Sequence, residues 1–472
     1  MTIGRTAGIL KMPPNKHNRK GYMTASFLDR QHTVAPPDYN RFLVPPAALA
    51  VHLSIGQAYA FSTFNLPLTK LLGITHSAHN DWDLKQVGWI FSIAIVFLGS
   101  SAALFGRWVE RVGPRQSMFT AALCFGGGFI VSAVGIHLHQ LWMIYLGYGV
   151  LGGCGLGIGY ISPVSTLIKW FPDRPGMATG MAIMGFGGGA LIAAPLSVLL
   201  MDHFKTAVSN GVLETFVTMG VIYFMFMMIG VYAVRVPAAD WKPAGWSAPA
   251  QPKPLVTSAH VAVEMAWRTP QFWLLWVVLC MNVTAGIGVL GQASPMIQEI
   301  FTGRVTPAAA AGFVGLLSLF NMLGRFFWAS TSDYIGRRNT YMIFFLLGIV
   351  LYSTVPTLGH LGYIKLFVAA FVIILTMYGG GFATIPAYLR DMFGTYQVGA
   401  IHGRLLTAWS VAGVLGPVLV NYIRQYQIDH GVPKAQAYSV TMYIMCGLLL
   451  IGFLCNFAMR AVDEKYHYRG SL

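Results

Sequence analysis

The sequence has little charge and still less acid. Only 10% of its 472 residues are charged, with 16 Asp and Glu against 31 Lys and Arg. An ordinary soluble domain is about 25% charged, so a domain with water on every side is excluded. Cysteine is scarce too. Cys124, Cys154, Cys280, Cys446 and Cys455 stand apart, in no metal-ligand spacing, and read as buried thiols rather than a disulfide framework. The apolar segments carry no His/Glu metal motif, no Ser/His/Asp set and no phosphate loop, which argues against a membrane-embedded enzyme. His76 and His79 in "THSAHND" read as solvated loop histidines, so neither a metal nor a cofactor is expected.

What the chain has in quantity is apolar residues, 55% of the total. Segments of roughly 20 such residues cross a bilayer core. They recur near 42–64, 87–105, 117–137, 141–167, 176–200, 213–235, 271–296, 308–328, 340–358, 363–387, 400–422 and 437–459. The expected fold class is an all-α membrane protein with 12 transmembrane helices. The net charge of +15 does not point to nucleic acid, because the basic residues are not gathered on a soluble domain. Instead 23 lie in loops of one parity, 7 in the others, and Arg325 lies alone inside a span. The positive-inside rule then puts both termini in the cytoplasm of a multi-pass protein of the cell membrane. Anionic lipid is the natural contact for the basic loops. The opening "MTIGRTAGILKMPPNKHNRK" has no apolar core of the signal-peptide kind, so the first span is expected to direct its own insertion.

The stretch "PAADWKPAGWSAPAQPKP" reads as a linker joining six spans to six. The expected organisation is a tail over 1–41, a bundle over 42–235, a linker over 236–270, a bundle over 271–459 and a tail over 460–472. The halves echo one another. "GRWVERVGPR" (106–115) and "ASTSDYIGRR" (329–338) set Glu110 and Asp333 at an offset of 223, and Pro163 and Pro386 repeat that offset of 223. Two unrelated features at one offset argue for a duplicated six-helix unit, with a central cavity and alternating access by rocking. The glycines over 147–160 and 185–190 read as close helix packing, since no strand precedes them. Asn282, in "NVT", falls inside the seventh span, where a glycosylation acceptor would be inaccessible.

The doubled motif of the form Gly-x3-Asp-x2-Gly-Arg-Lys/Arg on twelve spans resembles the major facilitator superfamily. "GQAYAFSTFNLPL" and "WFPDRPGMATGMAIMGFGGGA" resemble the oxalate/formate antiporter family, relatives of the monocarboxylate transporters. The resemblance covers roughly residues 41 to 460. Its first motif copy departs at Pro114, and its second has Ala329 for the leading Gly. A carboxylate at such a motif can accept from the N-terminus of a neighbouring span and from an Arg of the same loop, latching the cytoplasmic side. The candidates are Gly106, Glu110, Arg111, Gly113 and Arg115, then Asp333, Gly336, Arg337 and Arg338. The bland alternative is a solvated loop that only obeys the positive-inside rule.

None of the 16 acids reads as lying well inside a span, although Glu214 and Glu299 are marginal. Arg325 in "NMLGR" therefore lacks an obvious partner. It lies eight residues, about 12 Å of helix, before Asp333. A buried Arg costs several kcal/mol unless compensated. Snorkelling toward the loop is one escape. A carboxylate substrate is the other, with Asn321 on the same helix face beside the guanidinium fork. The family resemblance implies that Arg325 is the substrate-anion residue. It also implies a second cation, a Lys in a "TAK" context of the eleventh span, for oxalate. This chain reads "LLTAWS", with Trp409 in that place, so a monocarboxylate of the formate, lactate or pyruvate class is expected. Arg404 nearby reads as a topology charge. Tyr59, Tyr160, Tyr378 and Trp409 are candidates to close around the anion, each with a bland reading as a core or interface aromatic. Where protons are coupled, His52 in the first span is the candidate site. The expectation is a monomeric secondary transporter of small organic anions. An oxalate/formate exchanger, or an anion sensor on a carrier fold, is the alternative.

Overall fold

The computed structural model describes residues 27–238, 241–247 and 255–470, excluding the side chains of 307 and 308. The expected tails and linker therefore lie outside the described residues over 1–26, 239–240, 248–254 and 471–472. Among the described residues, twelve helices are long and apolar enough to cross a membrane. They are α1 (Arg41–Leu68), α2 (Leu84–Val112), α3 (Pro114–His137), α4 (Leu141–Trp170), α5 (Pro175–Phe204) and α6 (Val212–Ala233). The second six are α7 (Pro270–Ile300), α8 (Ala309–Ile335), α9 (Arg337–His360), α10 (Ile364–Phe393), α11 (Val398–Asp429) and α12 (Ser439–Phe457).

Each expected span lies on one of these helices, and most helices run further. Hydropathy ends where charge begins, but helical hydrogen bonding continues through the headgroup layer. That corrects the reading of the doubled motif as a loop. Glu110 and Asp333 sit in the last turns of α2 and α8, and Asp391 in the last turn of α10. Gly113 and Gly336 follow as C-caps at φ 88° and 86°, a conformation that only glycine adopts freely. Pro114, the departure in the first copy, opens α3, where its missing N–H is no loss.

Three of these helices are irregular within their length. α1 tightens to a 3-10 helix over Gly56–Phe64, α4 widens to a π-helix over Tyr145–Gly152, and α11 breaks at Leu406. Such departures rotate the side chains that follow them and recur at functional sites.

The halves meet where α2 packs on α11 and where α5 packs on α8 and α10. Small residues allow the approach: a Cβ on Gly106 would stand 2.8 Å from the Cα of Ala400. The seam is hydrogen-bonded at the end that carries Arg41 and Phe457, here called the basic end. There Thr179 donates to the carbonyl of Ala383 (2.7 Å) and Arg390 to that of Pro172 (3.2 Å). Arg107 of α2 pairs with Glu264 of the second half at 2.8 Å. Among the described residues, no hydrogen bond joins the halves further from this end than Tyr59–Tyr378 and Ser410–Ile95.

Candidate functional site

Arg325 stands ten residues, about 15 Å of helix, inside the basic end of α8. Helical side chains lean toward the N-terminus, which carries its guanidinium deeper still. The residue is 0% exposed. Its Nε donates to Asn321 Oδ1 (3.3 Å) and its Nη1 to the carbonyl of Ile183 on α5 (3.3 Å), so the second bond crosses between the halves. Its Nη2 is buried and has no partner. Among the described residues, no carboxylate forms an ion pair with it. Aromatic faces surround the cation instead, Phe382 at 5.3 Å, Phe186 at 5.7 Å and Tyr59 at 6.0 Å. Glycine makes the room: a Cβ on Gly187 would stand 2.8 Å from Nε, and one on Gly379 3.1 Å from Cγ.

Two further donors share the condition of Nη2. The Tyr160 hydroxyl and the Trp409 indole nitrogen are buried without a hydrogen-bond partner. Trp409 packs 5.5 Å from Tyr160, 5.3 Å from Phe186, 4.5 Å from Phe382 and 6.4 Å from Tyr59, ring centre to ring centre. The Tyr59 and Tyr378 hydroxyls meet at 3.1 Å across the halves, on the side of Arg325 away from the basic end. The predicted Arg325, Tyr59, Tyr160, Tyr378 and Trp409 therefore come together in one packed cluster. Asn321 joins them through its oxygen, which orients the guanidinium. Buried donors without acceptors are costly, and a compact, anionic, acceptor-only group such as a carboxylate suits them.

His52 lies behind Tyr160, ring stacked at 5.3 Å. Its Nδ1 is 2.7 Å from the carbonyl of Ala182 and its Nε2 3.1 Å from that of Tyr160. Neutral imidazole donates through one nitrogen only, so one of the two facing carbonyls receives no proton from the neutral ring. The sequence reading missed Phe186, Phe382 and His402. His402 is 1% exposed, its ring is 5.7 Å from Tyr160, and neither of its nitrogens has a partner. Its spacing of seven residues from Trp409, two turns had the helix been unbroken at Leu406, was the available signal.

At the basic end, Asp333 accepts from the backbone N–H groups of Gly176 (2.9 Å) and Met177 (2.8 Å), the open N-terminus of α5. Arg337 donates to Asp333 (2.6 Å) and to Asp391 (3.1 Å). Glu110 accepts from the N–H of Gly399 (3.0 Å), in the first turn of α11, and pairs with Lys169 (2.8 Å). The other motif arginines act elsewhere. Arg115 donates to the carbonyls of Phe27 (2.9 Å) and Val231 (3.2 Å), Arg338 reaches the carbonyl of Phe457 (2.6 Å), and Arg111 is exposed. The reason is spacing. Arg337 follows Asp333 by four residues, whereas the fourth residue after Glu110 is Pro114, and Lys169 supplies the missing cation from α4.

The sequence profile of the Major Facilitator Superfamily matches residues 47–417 and 293–471. The chain belongs to the major facilitator superfamily. This superfamily member is thus a transporter and a multi-pass membrane protein. It is 28% identical to the oxalate:formate antiporter of Oxalobacter formigenes, over 79% of this chain and 82% of that one. With the apicoplast pyruvate carrier 1 of Toxoplasma gondii the identity is 24%, over 81% and 77%. With human monocarboxylate transporter 11 it is 27%, over 41% and 40%. In fold, the transporter matches the E. coli fucose:proton symporter FucP in the outward conformation, with a TM-score of 0.63 at 13% identity over 88% of this chain and 98% of that one.

Proposed function

We propose that this transporter carries small monocarboxylates, of the formate, lactate or pyruvate class, by alternating access around Arg325. The observation that carries the reading is the set of buried donors, Arg325 Nη2, Tyr160 Oη and Trp409 Nε1, which have no acceptor. A carboxylate bound among them would supply both the acceptors and the missing negative charge. The names of the relatives, an oxalate:formate antiporter and a pyruvate carrier, support the same class. Trp409 supports one carboxylate over two, since a second would meet an indole ring rather than a cation.

The moving bodies in this reading are the bundles over 42–235 and 271–459, joined by the linker over 236–270, in a monomer. Both ends face the cytoplasm, as the basic loops favour. The Asp333 and Glu110 bonds latch the cytoplasmic side, and the Tyr59–Tyr378 pair closes over the anion. Exchange is favoured over symport: the bond from Arg325 to the carbonyl of Ile183 ties the halves together, which would hinder the return step unless a carboxylate takes its place. His52 is the proton site where one is used.

Counterflow into proteoliposomes with labelled formate, lactate, pyruvate and oxalate tests the substrate class. Movement of a monocarboxylate is expected, and movement of none of the four refutes the proposal. Oxalate as the best substrate would instead favour the oxalate/formate exchanger, the second reading, to which the Oxalobacter relative lends weight. Saturable binding without any flux would favour an anion sensor.

A further inference from the structure

At the basic end a cavity of about 480 Å³ opens between the halves. Arg30, Arg107, Arg111 and Lys169 of the first half line it, facing His260 and Tyr396 of the second. Four permanent cations thus meet one lining carboxylate, Glu110, whose two oxygens are already engaged by Gly399 and Lys169. Arg107 leans to Glu264 at its rim, a carboxylate shared with Arg404.

We propose that this cavity binds a multiply charged, phosphate-bearing anion that holds the basic end closed. Guanidinium forks match phosphate oxygens two at a time, and several cations around one space suit a polyanion better than a single carboxylate. The volume lies within the range of about 300–1,000 Å³ typical of small-molecule sites. Because the walls belong to different halves, rocking open at the basic end pulls Arg107 and Arg111 on α2 away from His260 and Tyr396. The bound anion therefore favours the closed state by its differential affinity, and closing strengthens its binding reciprocally. The inference is independent of which substrate is carried.

The test is thermal unfolding of the purified full-length chain with inorganic pyrophosphate, against sodium chloride at equal ionic strength. A saturable rise in the unfolding midpoint is expected. The R30Q/R111Q double variant should need at least about tenfold more pyrophosphate, the loss of roughly one charge-assisted hydrogen bond, and R30K/R111K should recover part of it. Should the double variant fold poorly, protection of wild-type Arg111 from phenylglyoxal by pyrophosphate, read by mass spectrometry, replaces it. Vesicles with a phosphoinositide, compared with phosphatidylcholine alone, separate the sources. Stabilisation by the phosphoinositide without pyrophosphate assigns a lipid headgroup, and stabilisation by pyrophosphate assigns a soluble anion. No shift from either beyond the salt control, or an equal shift in R30Q/R111Q, overturns the inference.

Discussion

Replacing Arg325 with glutamine separates binding from folding. In the proposed complex the guanidinium gives a carboxylate charge-assisted hydrogen bonds of about 1.5–3 kcal/mol each. Removing one partner of a buried charge pair costs about 2–5 kcal/mol, so substrate affinity should fall by roughly thirty-fold to several thousand-fold. Stability should respond in the other sense. Arg325 has two neutral acceptors at 3.3 Å and no carboxylate, so R325Q strands no buried anion. Arg337 is the internal contrast, because it meets Asp333 at 2.6 Å and Asp391 at 3.1 Å, so its loss removes a buried charge-assisted bond from each of two acids, with Arg390 still 3.1 Å from Asp391. R337Q should lose about 3–5 kcal/mol, the penalty of breaking a buried ion pair. The assay measures counterflow and thermal unfolding for the wild-type, R325Q, R325K and R337Q chains. R325Q should unfold at or above the unliganded wild-type temperature yet transport nothing, and R325K should be intermediate in flux, having the charge without the fork. Wild-type flux in R325Q, or an unfolding temperature below that of R337Q, would refute the reasoning.

Trp409→Lys should raise oxalate counterflow relative to formate, since it adds a second cation beside Arg325; unchanged selectivity would remove Trp409 from the specificity argument. Asp333→Asn weakens three bonds at the mouth of α5 and should favour opening at the basic end by about ten- to hundred-fold. A Thr179→Cys reporter, buried when the end is closed, should then react faster with a membrane-impermeant maleimide. Asp173, between α4 and α5, is raised by burial but held below its ordinary 3.8 by the Arg41 hydrogen bonds at 2.6 and 2.9 Å. A depressed carboxyl stabilises above its unfolded value and loses that contribution as pH falls through the folded one. D173N should therefore lower the unfolding temperature at pH 7, with the gap to wild type closing below pH 3.8.

Composition alone made the twelve spans legible, because a bilayer demands long apolar helices and nothing else in this sequence competes with that pattern. Arg325 was legible for the complementary reason, as a cation where hydrocarbon tolerates none unpaired. The ends of the helices were not. Asp333 looked like a loop residue because hydropathy stops before the backbone does. Partners distant in sequence were also hidden: nothing in the spacing joins Glu110 to Lys169, or Arg325 to the carbonyl of Ile183 142 positions away. Phe186 and Phe382 drew no notice in the sequence, and only the fold turns their faces toward the guanidinium.

The arrangement of α5 against α8 ties these pieces together. One seam carries two polar clamps, Asp333 on the N-terminus of α5 and, eight residues or about 12 Å along α8, Arg325 on the carbonyl of Ile183. Both cross between the halves, so rocking must break both. The outer clamp is a carboxylate on N–H groups and draws on nothing that a transported anion could offer. The inner clamp is a cation on a neutral carbonyl, and a carboxylate is the stronger acceptor for it. On the proposed reading, a bound anion can therefore take the donor that Arg325 gives to Ile183 and loosen the seam at its centre. On that reading the carrier would move more readily loaded than empty, which is the kinetic requirement of exchange.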